Sequence, residues 1–382
     1  MRHSHLRFFL SYRGNGMRLI HCGDLHLDSK MESNLTREQA KERKEEILLT
    51  YVQMIDYAKK NDVQAVLIAG DLFDTSKVSK RTQNIVLNSV KSNPQIDFLY
   101  LRGNHDTSSF LDALKLGEGG ELPQNLKLFG ESWTHYEYGD VIISGVELSA
   151  SNMKHVYDAL ILSPEHFHIV MLHGQEAKYK GKDTTPKITL SELKNRNIDY
   201  LALGHIHTYK EGKLDCRGEY CYCGCLEGRG FDECGQKGFV LLDIEGKKCK
   251  RTFIPMGRRT LHEIFVDVTG IMTTSQAVNN IEHEVEGICA DDLIKVVLTG
   301  EVEVETELDI YYLSKILQEK FYFGKVYNET KLAIHIEQLA HDVSLKGEFL
   351  RMVLAEKKLS NKAKEQICIL GVRALAGEEL GL

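Results

Sequence analysis

Proline is scarce in this 382-residue chain, with 5 in all. That scarcity excludes a proline-rich linker or an extended polyproline architecture. No apolar run approaches the ~18 residues of a membrane-spanning helix, so a bilayer span is excluded. An excess of positive charge is missing too. Lys+Arg number 48 against Asp+Glu 55, giving a net charge of −7, which taken whole argues against a nucleic-acid partner. A secretory leader is not expected, because the apolar stretch Leu6–Leu10 is shorter than the ~7–15 residues of a signal core. The nine cysteines, an odd number, are therefore expected to be reduced thiols in a cytoplasmic protein. Residues 1–16 read as a disordered extension ahead of Met17.

What is present is a globular balance, 42% hydrophobic and 27% charged, long enough for two domains. The acidity is unevenly spread. Residues 1–256 carry 34 basic and 34 acidic side chains, leaving 48 − 34 = 14 basic and 55 − 34 = 21 acidic in residues 257–382. The whole −7 lies in the last third, so a boundary is expected near Gly257. The expected organisation is a catalytic domain over 17–256, a small α/β domain over 257–343 and a helical tail over 344–382.

Between Met17 and about residue 205, apolar strand-like runs alternate with helical periods, the pattern of βαβ units around a buried sheet. Strands are expected over Met17–Cys22, Val63–Ala69, Ile96–Leu101, Val141–Gly145, His168–Leu172 and Tyr200–Leu203. Thr36 with Gln39 forms a capping box for a helix reaching Lys60, and Arg81–Val90 reads as a second helix. Antiparallel strands are expected at Glu219–Cys225, Phe239–Ile244 and Lys250–Pro255.

Five times an apolar strand gives way to polar residues: Asp24-Leu25-His26, Gly70-Asp71-Leu72-Phe73-Asp74, Gly103-Asn104-His105-Asp106, His173-Gly174 and Gly204-His205-Ile206-His207. Ligands in open α/β sheets gather at the carboxyl ends of strands. Residues at i and i+2 of extended chain point the same way, so Asp24 with His26, and His205 with His207, can each present a pair. Imidazole, carboxylate and amide donors without thiolate suit Mn, Fe or Zn. Asp24, His26, Asp71, Asn104, His173, His205 and His207 are too many for one ion and suit two divalent ions sharing a carboxylate. Two such ions suit displacement at phosphorus, because they activate water and neutralise growing charge. His105 is the candidate catalytic residue, stabilising phosphorane-like charge as imidazolium or protonating the leaving oxygen, with Asp74 and Asp106 orienting their neighbours. Lys77, Lys80, Arg81 and Arg229 follow these motifs and are candidates to track phosphate, as are Lys178, Lys180, Lys182 and Lys187.

This order of motifs resembles the calcineurin-like metallophosphoesterase superfamily over residues 17–210. Ile20–Ser29, Ile198–His207 and Cys223–Glu233 are similar to the SbcD-type DNA repair exonucleases. The resemblance implies a four-layer α/β/β/α sandwich with a C-terminal cap, two Mn2+ ions, a DNA substrate, an SbcC-type coiled-coil ATPase partner and a homodimer. It assigns Asp24, His26, Asp71 and His207 to a first metal and Asp71, Asn104, His173 and His205 to a second, with Asp71 bridging and His105 catalytic. The sequence departs from the family at Asp74, where many members carry His, and in the loop after it.

Blander roles compete at other positions. His21 on the strand body reads as core packing. Cys221, Cys223 and Cys225 lack the spacing of a zinc knuckle and read as buried thiols. Phosphomonoesterase or cyclic-nucleotide phosphodiesterase activity on the same core is the rival enzyme reading. A non-catalytic scaffold is the other rival, although it would be expected to have lost ligands.

Overall fold

The computed structural model describes residues 16–31, 35–74, 78–107, 122–153, 155–178, 185–303, 306–333 and 336–375. Residues 1–15, Lys77, Lys180 and Lys182 lie outside these stretches, and with them the expected extension and part of the expected basic rim. The chain divides into two compact units, between Thr260 and Leu261.

The first unit opens with β1 (Gly16–Cys22), α1 (Arg37–Lys60), β2 (Ala65–Ala69), α2 (Lys80–Lys91), β3 (Asp97–Leu101) and β4 (Leu126–Leu128). It continues through β5 (Thr134–Tyr138), β6 (Val141–Gly145), β7 (Phe167–His173), β8 (Gln175–Glu176) and β9 (Lys187–Ile188). The last strands are β10 (Tyr200–Gly204), β11 (Lys210–Lys213), β12 (Glu219–Tyr222), β13 (Gly238–Glu245) and β14 (Lys248–Pro255). At the start of α1, Thr36 Oγ1 accepts from the Gln39 N–H while Gln39 Oε1 accepts from the Thr36 N–H, which is the reciprocal capping box expected there.

Two six-stranded sheets result. One runs β14-β13-β1-β2-β3-β4 and the other β11-β12-β10-β7-β6-β5. β1 to β4 are parallel in the first, and β6, β7, β10 and β12 are parallel in the second. After His207, β13 and β14 pair antiparallel as expected and close the first sheet, whereas β12 joins the second sheet, antiparallel to β11 but parallel to β10. Alternation cannot specify which of two facing sheets a strand joins, because either one buries its apolar face.

Three apolar layers hold this unit. Leu19, Leu67, Leu99, Ile143, Ile169, Met171 and Ala202 meet between the sheets, with Cys221 and Cys223 fully buried among them. Ile47, Tyr51, Met54 and Ile55 of α1 cover the outer face of the first sheet. Val170, Leu172, Leu201 and Leu203 on the second sheet are covered by Val156, Tyr157, Leu160 and Leu193. The fold is thus an α/β sandwich of two sheets between outer layers. The layer on the second sheet is thin, built from a 3-10 turn (Val156–Ala159), the one-turn helix Leu190–Leu193 and loops.

The second unit holds a parallel sheet of Leu261–Asp267, Leu293–Thr299 and Phe323–Asn328. Helices Thr274–Glu284 and Ile310–Lys320 pack their Ala277, Ile281, Leu313 and Leu317 on it. The tail is two helices, Leu345–Ala355 and Asn361–Leu375, rather than one. No helix among the described residues is long and apolar enough to cross a membrane.

Candidate metal centre

Every one of the five polar motifs leaves the carboxyl end of a parallel strand: β1, β2 and β3 of one sheet, β7 and β10 of the other. Glycine lets the backbone close tightly there, between the two sheets at Gly204 and within the first sheet at Gly103. A Cβ on Gly204 would lie 1.8 Å from the Ala69 carbonyl oxygen, and one on Gly103 would lie 2.2 Å from Asp71 Oδ1. The backbone is strained at the same place. Asp24 (φ 50°), His26 (44°), Asp71 (50°) and His205 (102°) all take left-handed conformations, each costing ~1–3 kcal/mol that the surrounding packing must offset. Strain of this kind gathers where side chains are aimed for function.

The donors form three groups, each with ligand atoms within 4.8 Å of one another: Asp24, His26 and His207; His26, Asp74 and His105; Asp71, His173 and His205. Asp71 Oδ2 stands between the outer two, 3.9 Å from His26 Nε2 and 3.3 Å from His173 Nε2. Asn104 Oδ1 lies 3.0 Å from the same nitrogen of His173. Both carboxylate oxygens of Asp24 accept from the His205 N–H, at 2.9 and 2.8 Å.

Which nitrogen of each imidazole carries the proton follows from its other partner. His173 Nδ1 is 2.9 Å from the Ala69 carbonyl oxygen, an acceptor only, so Nδ1–H donates there. His173 Nε2, Asp71 Oδ2 and Asn104 Oδ1 then turn lone pairs on one another. His207 Nδ1 is 2.5 Å from Glu233 Oε1, and His26 Nδ1 is 2.9 Å from Asp74 Oδ1. Their Nε2 atoms face each other at 3.1 Å. Converging lone pairs are relieved by protons or by cations, and imidazole with carboxylate and amide oxygen is a donor set for divalent transition ions. The residues therefore fit a metal pair.

The electrostatics agree. Burial pulls the His173 imidazole down, but Asp71 outweighs it and raises the pKa to about 9. Burial pushes Asp71 up, but His173 and His26 outweigh it and hold its carboxyl well below the usual range. Burial, helped by the Asp71 charge, raises Asp24 to about 6 against the pull of His173 and His207, and burial, helped by Arg229 and His207, lowers His26 to about 4. Charge trapped this deep calls for compensating charge from a ligand.

His105 is half exposed at the mouth of this cluster. Its backbone N–H donates to Asp71 Oδ1 at 2.9 Å, and its Nδ1 lies 4.0 Å from Asp74 Oδ1. Asp106 accepts from the N–H groups of Leu72, Phe73 and Gly103 at 3.2, 3.0 and 3.0 Å, so it braces two motif loops against each other. The basic candidates fare differently. Arg229 places its guanidinium between Asp74 (2.8 Å) and Glu233 (2.8 Å). Arg81 pairs with Glu45 on the surface. Lys80 begins α2, exposed, and Lys178 and Lys187 are exposed as well.

Glu233 escapes the sequence reading. It is buried, its carboxylate orients His207 and Arg229, and Oε2 accepts from the Arg229 N–H at 2.7 Å. Nothing local signals this, because Asp232-Glu233 in a Gly-rich stretch looks like a solvated loop. His21 is core, as expected: it is buried with Nδ1 2.8 Å from the Tyr200 hydroxyl. None of the nine cysteines forms a disulfide, and no cysteine joins a ligand cluster, among the described residues.

A metal-type cluster of histidine, aspartate and asparagine at the carboxyl edge of a two-sheet sandwich defines the class, a metal-dependent phosphoester hydrolase. Residues 17–209 match the calcineurin-like phosphoesterase family, and the chain belongs to it. Among relatives, the uncharacterized metallophosphoesterase YhaO of Bacillus subtilis is 30% identical over 244 residues, covering 60% of this chain and 57% of that protein. The DNA double-strand break repair protein Mre11 of Sulfurisphaera tokodaii is 26% identical over 285 residues, 70% of this chain and 67% of its own. The SbcD component of the SbcCD nuclease of Escherichia coli is 24% identical over 272 residues, 59% of this chain and 64% of its own. The chain thus spans less than two thirds of the length of YhaO and of SbcD.

Proposed function

We propose that this protein is a Mn2+-dependent DNA exonuclease, with endonuclease activity on the same site, acting in DNA repair in the cytoplasm beside an SbcC-type coiled-coil ATPase. The observation that carries the reading is the convergence of all seven donors within one cluster, in a chain whose relatives include break-repair nucleases. Asp24, His26, Asp71 and His207 would hold one cation, and Asp71, Asn104, His173 and His205 the other. Such a pair of cations supplies Lewis-acid charge at a phosphodiester and lowers the pKa of water toward neutrality.

The chain's own residues do the rest. Glu233 and the Ala69 carbonyl fix which nitrogens of His207 and His173 face inward. His105, exposed beside Asp74, would donate a proton to the departing sugar oxygen. The first 256 residues carry no net charge, so two divalent ions would leave the working face locally cationic toward a polyanion.

The test is incubation of purified protein with Mn2+ and end-labelled linear DNA, in parallel with a chromogenic phosphomonoester, with His105→Ala as control. Release of nucleotides from DNA is the expected result. Phosphomonoester turnover without DNA degradation, with the ATPase partner present, overturns the nuclease reading in favour of a phosphomonoesterase.

A further inference from the structure

Away from the donor cluster, five charged side chains and a threonine knot α1 to the segment 227–259. Glu227 is buried, and Oε1 accepts from Thr50 Oγ1 at 2.7 Å and from the Arg258 N–H at 2.5 Å. Its Oε2 accepts from Arg43 Nη2 at 3.2 Å. Arg43, also buried, donates to the Gly228 carbonyl at 2.8 Å and to Glu46 Oε2 at 2.5 Å. Glu46 in turn accepts from Nε of Arg258 and Nε of Arg259, each at 3.0 Å.

A buried ion pair is a weak source of net stability, since desolvation consumes most of its Coulomb energy. What it supplies is direction. The planar guanidinium of Arg43 fixes two carboxylates and a carbonyl at once, as a lysine could not. The turn held this way, Glu227 to Glu233, delivers Glu233 to His207 and Arg229 to Asp74, and Asp74 in turn faces His26. Arg258 and Arg259 are the last charged residues before the boundary at Thr260.

We infer that Arg43 and Glu227 are positioning residues for the metal centre. They set the 227–233 turn so that Glu233 holds His207 in its ligating orientation, and they tie that turn to the exit segment at Arg258 and Arg259. The inference rests on the reading of His207 as a ligand, and deepens it by naming what holds the turn behind it.

The experiment uses the full chain with 15N-labelled histidine, metal-free, and reads the Nδ1–H resonance of His207, assigned by its loss in His207→Gln. Turnover of bis(p-nitrophenyl) phosphate with Mn2+ is measured beside it. In Arg43→Met and Glu227→Gln the resonance shifts or broadens, and kcat falls about tenfold while KM changes little. Arg43→Lys, with the charge but not the fork, gives a smaller resonance shift in the same direction. A folded variant with the His207 resonance and kcat unchanged overturns the inference, whatever its melting temperature. Should Arg43→Met fail to fold, Thr50→Val removes one donor to Glu227 from an intact helix, and an unmoved resonance there and in Arg43→Lys overturns it equally. Because the resonance is read without metal or substrate, absence of DNA cleavage would sink the nuclease reading and leave this one standing.

Discussion

His207 Nδ1 lies 2.5 Å from Oε1 of Glu233, a residue 26 positions further along the chain. That short, buried contact decides the tautomer of His207 and aims its Nε2 at the cluster shared with His26 and Asp24. Removing the carboxylate charge while keeping its shape should therefore loosen metal without unfolding the chain. Glu233→Gln is expected to weaken Mn2+ binding ~10–100-fold in calorimetric titration. Unchanged affinity would separate Glu233 from the metal centre.

Asp71 stands between both donor groups, so its loss should affect both ions rather than one. In Asp71→Asn, bound Mn2+ is expected to fall from two equivalents to one or none by elemental analysis, with the circular dichroism spectrum retained. Conversely, saturating Mn2+ at a hundredfold excess over its Kd should stabilise the native chain by about 2.7 kcal/mol for each ion bound, an increment that chelation removes. Denaturant melts with and without EDTA measure it.

His105 carries its ring to the mouth of the site, half exposed. As a proton donor it should matter for turnover and little for metal. His105→Ala is expected to lower kcat on a phosphodiester ~10²–10⁴-fold with two metals still bound. A variant that keeps its rate would remove His105 from the chemistry.

His21 offers a pH test independent of the metal centre. Burial lowers its pKa from an ordinary 6.5 to about 3, so the folded chain keeps it neutral where the unfolded chain protonates it. The unfolded state then binds more protons between these values, and stability falls as the pH drops. The contribution is fully present above pH 6.5 and declines by ~1.4 kcal/mol per unit below it. Between pH 6.5 and 5, wild type should lose about 2 kcal/mol more than His21→Gln in urea melts. Equal losses would contradict this.

Gly204 tests the closeness of the sheets. Its missing Cβ leaves 1.8 Å to the Ala69 carbonyl oxygen, backbone that cannot swing aside. Gly204→Ala should cost ~1–3 kcal/mol by overpacking and should weaken metal binding, since Ala69 also anchors His173. A variant of native stability would mean that the strands part without cost.

Much of the site was legible because strand ends announce themselves. An apolar run stopping at Gly-Asp, Gly-Asn-His, His-Gly or Gly-His is local information, and β1, β2, β3, β7 and β10 each end in one of these. The capping box at Thr36 and Gln39 is local in the same sense. Glu233 and Arg43 were not legible, because a carboxylate in a Gly-rich turn and an arginine within a charged helix look solvated until their partners are known. The pairing of Arg229 with Asp74 and Glu233 was likewise hidden in the sequence.

The sequence by itself determined the candidate donors, the strands that bear them and the two-part distribution of charge, since each depends on residues close in the chain. Tertiary structure alone decided that β12 and β13 part to different sheets, which nitrogen of each histidine faces inward, and which buried charges brace the site. Those depend on contacts such as Asp74 with Arg229, 155 residues apart, and Arg43 with Glu227, 184 apart. No local propensity encodes such contacts. They arise because packing two sheets face to face leaves each buried polar atom only the partners that the other segment happens to bring.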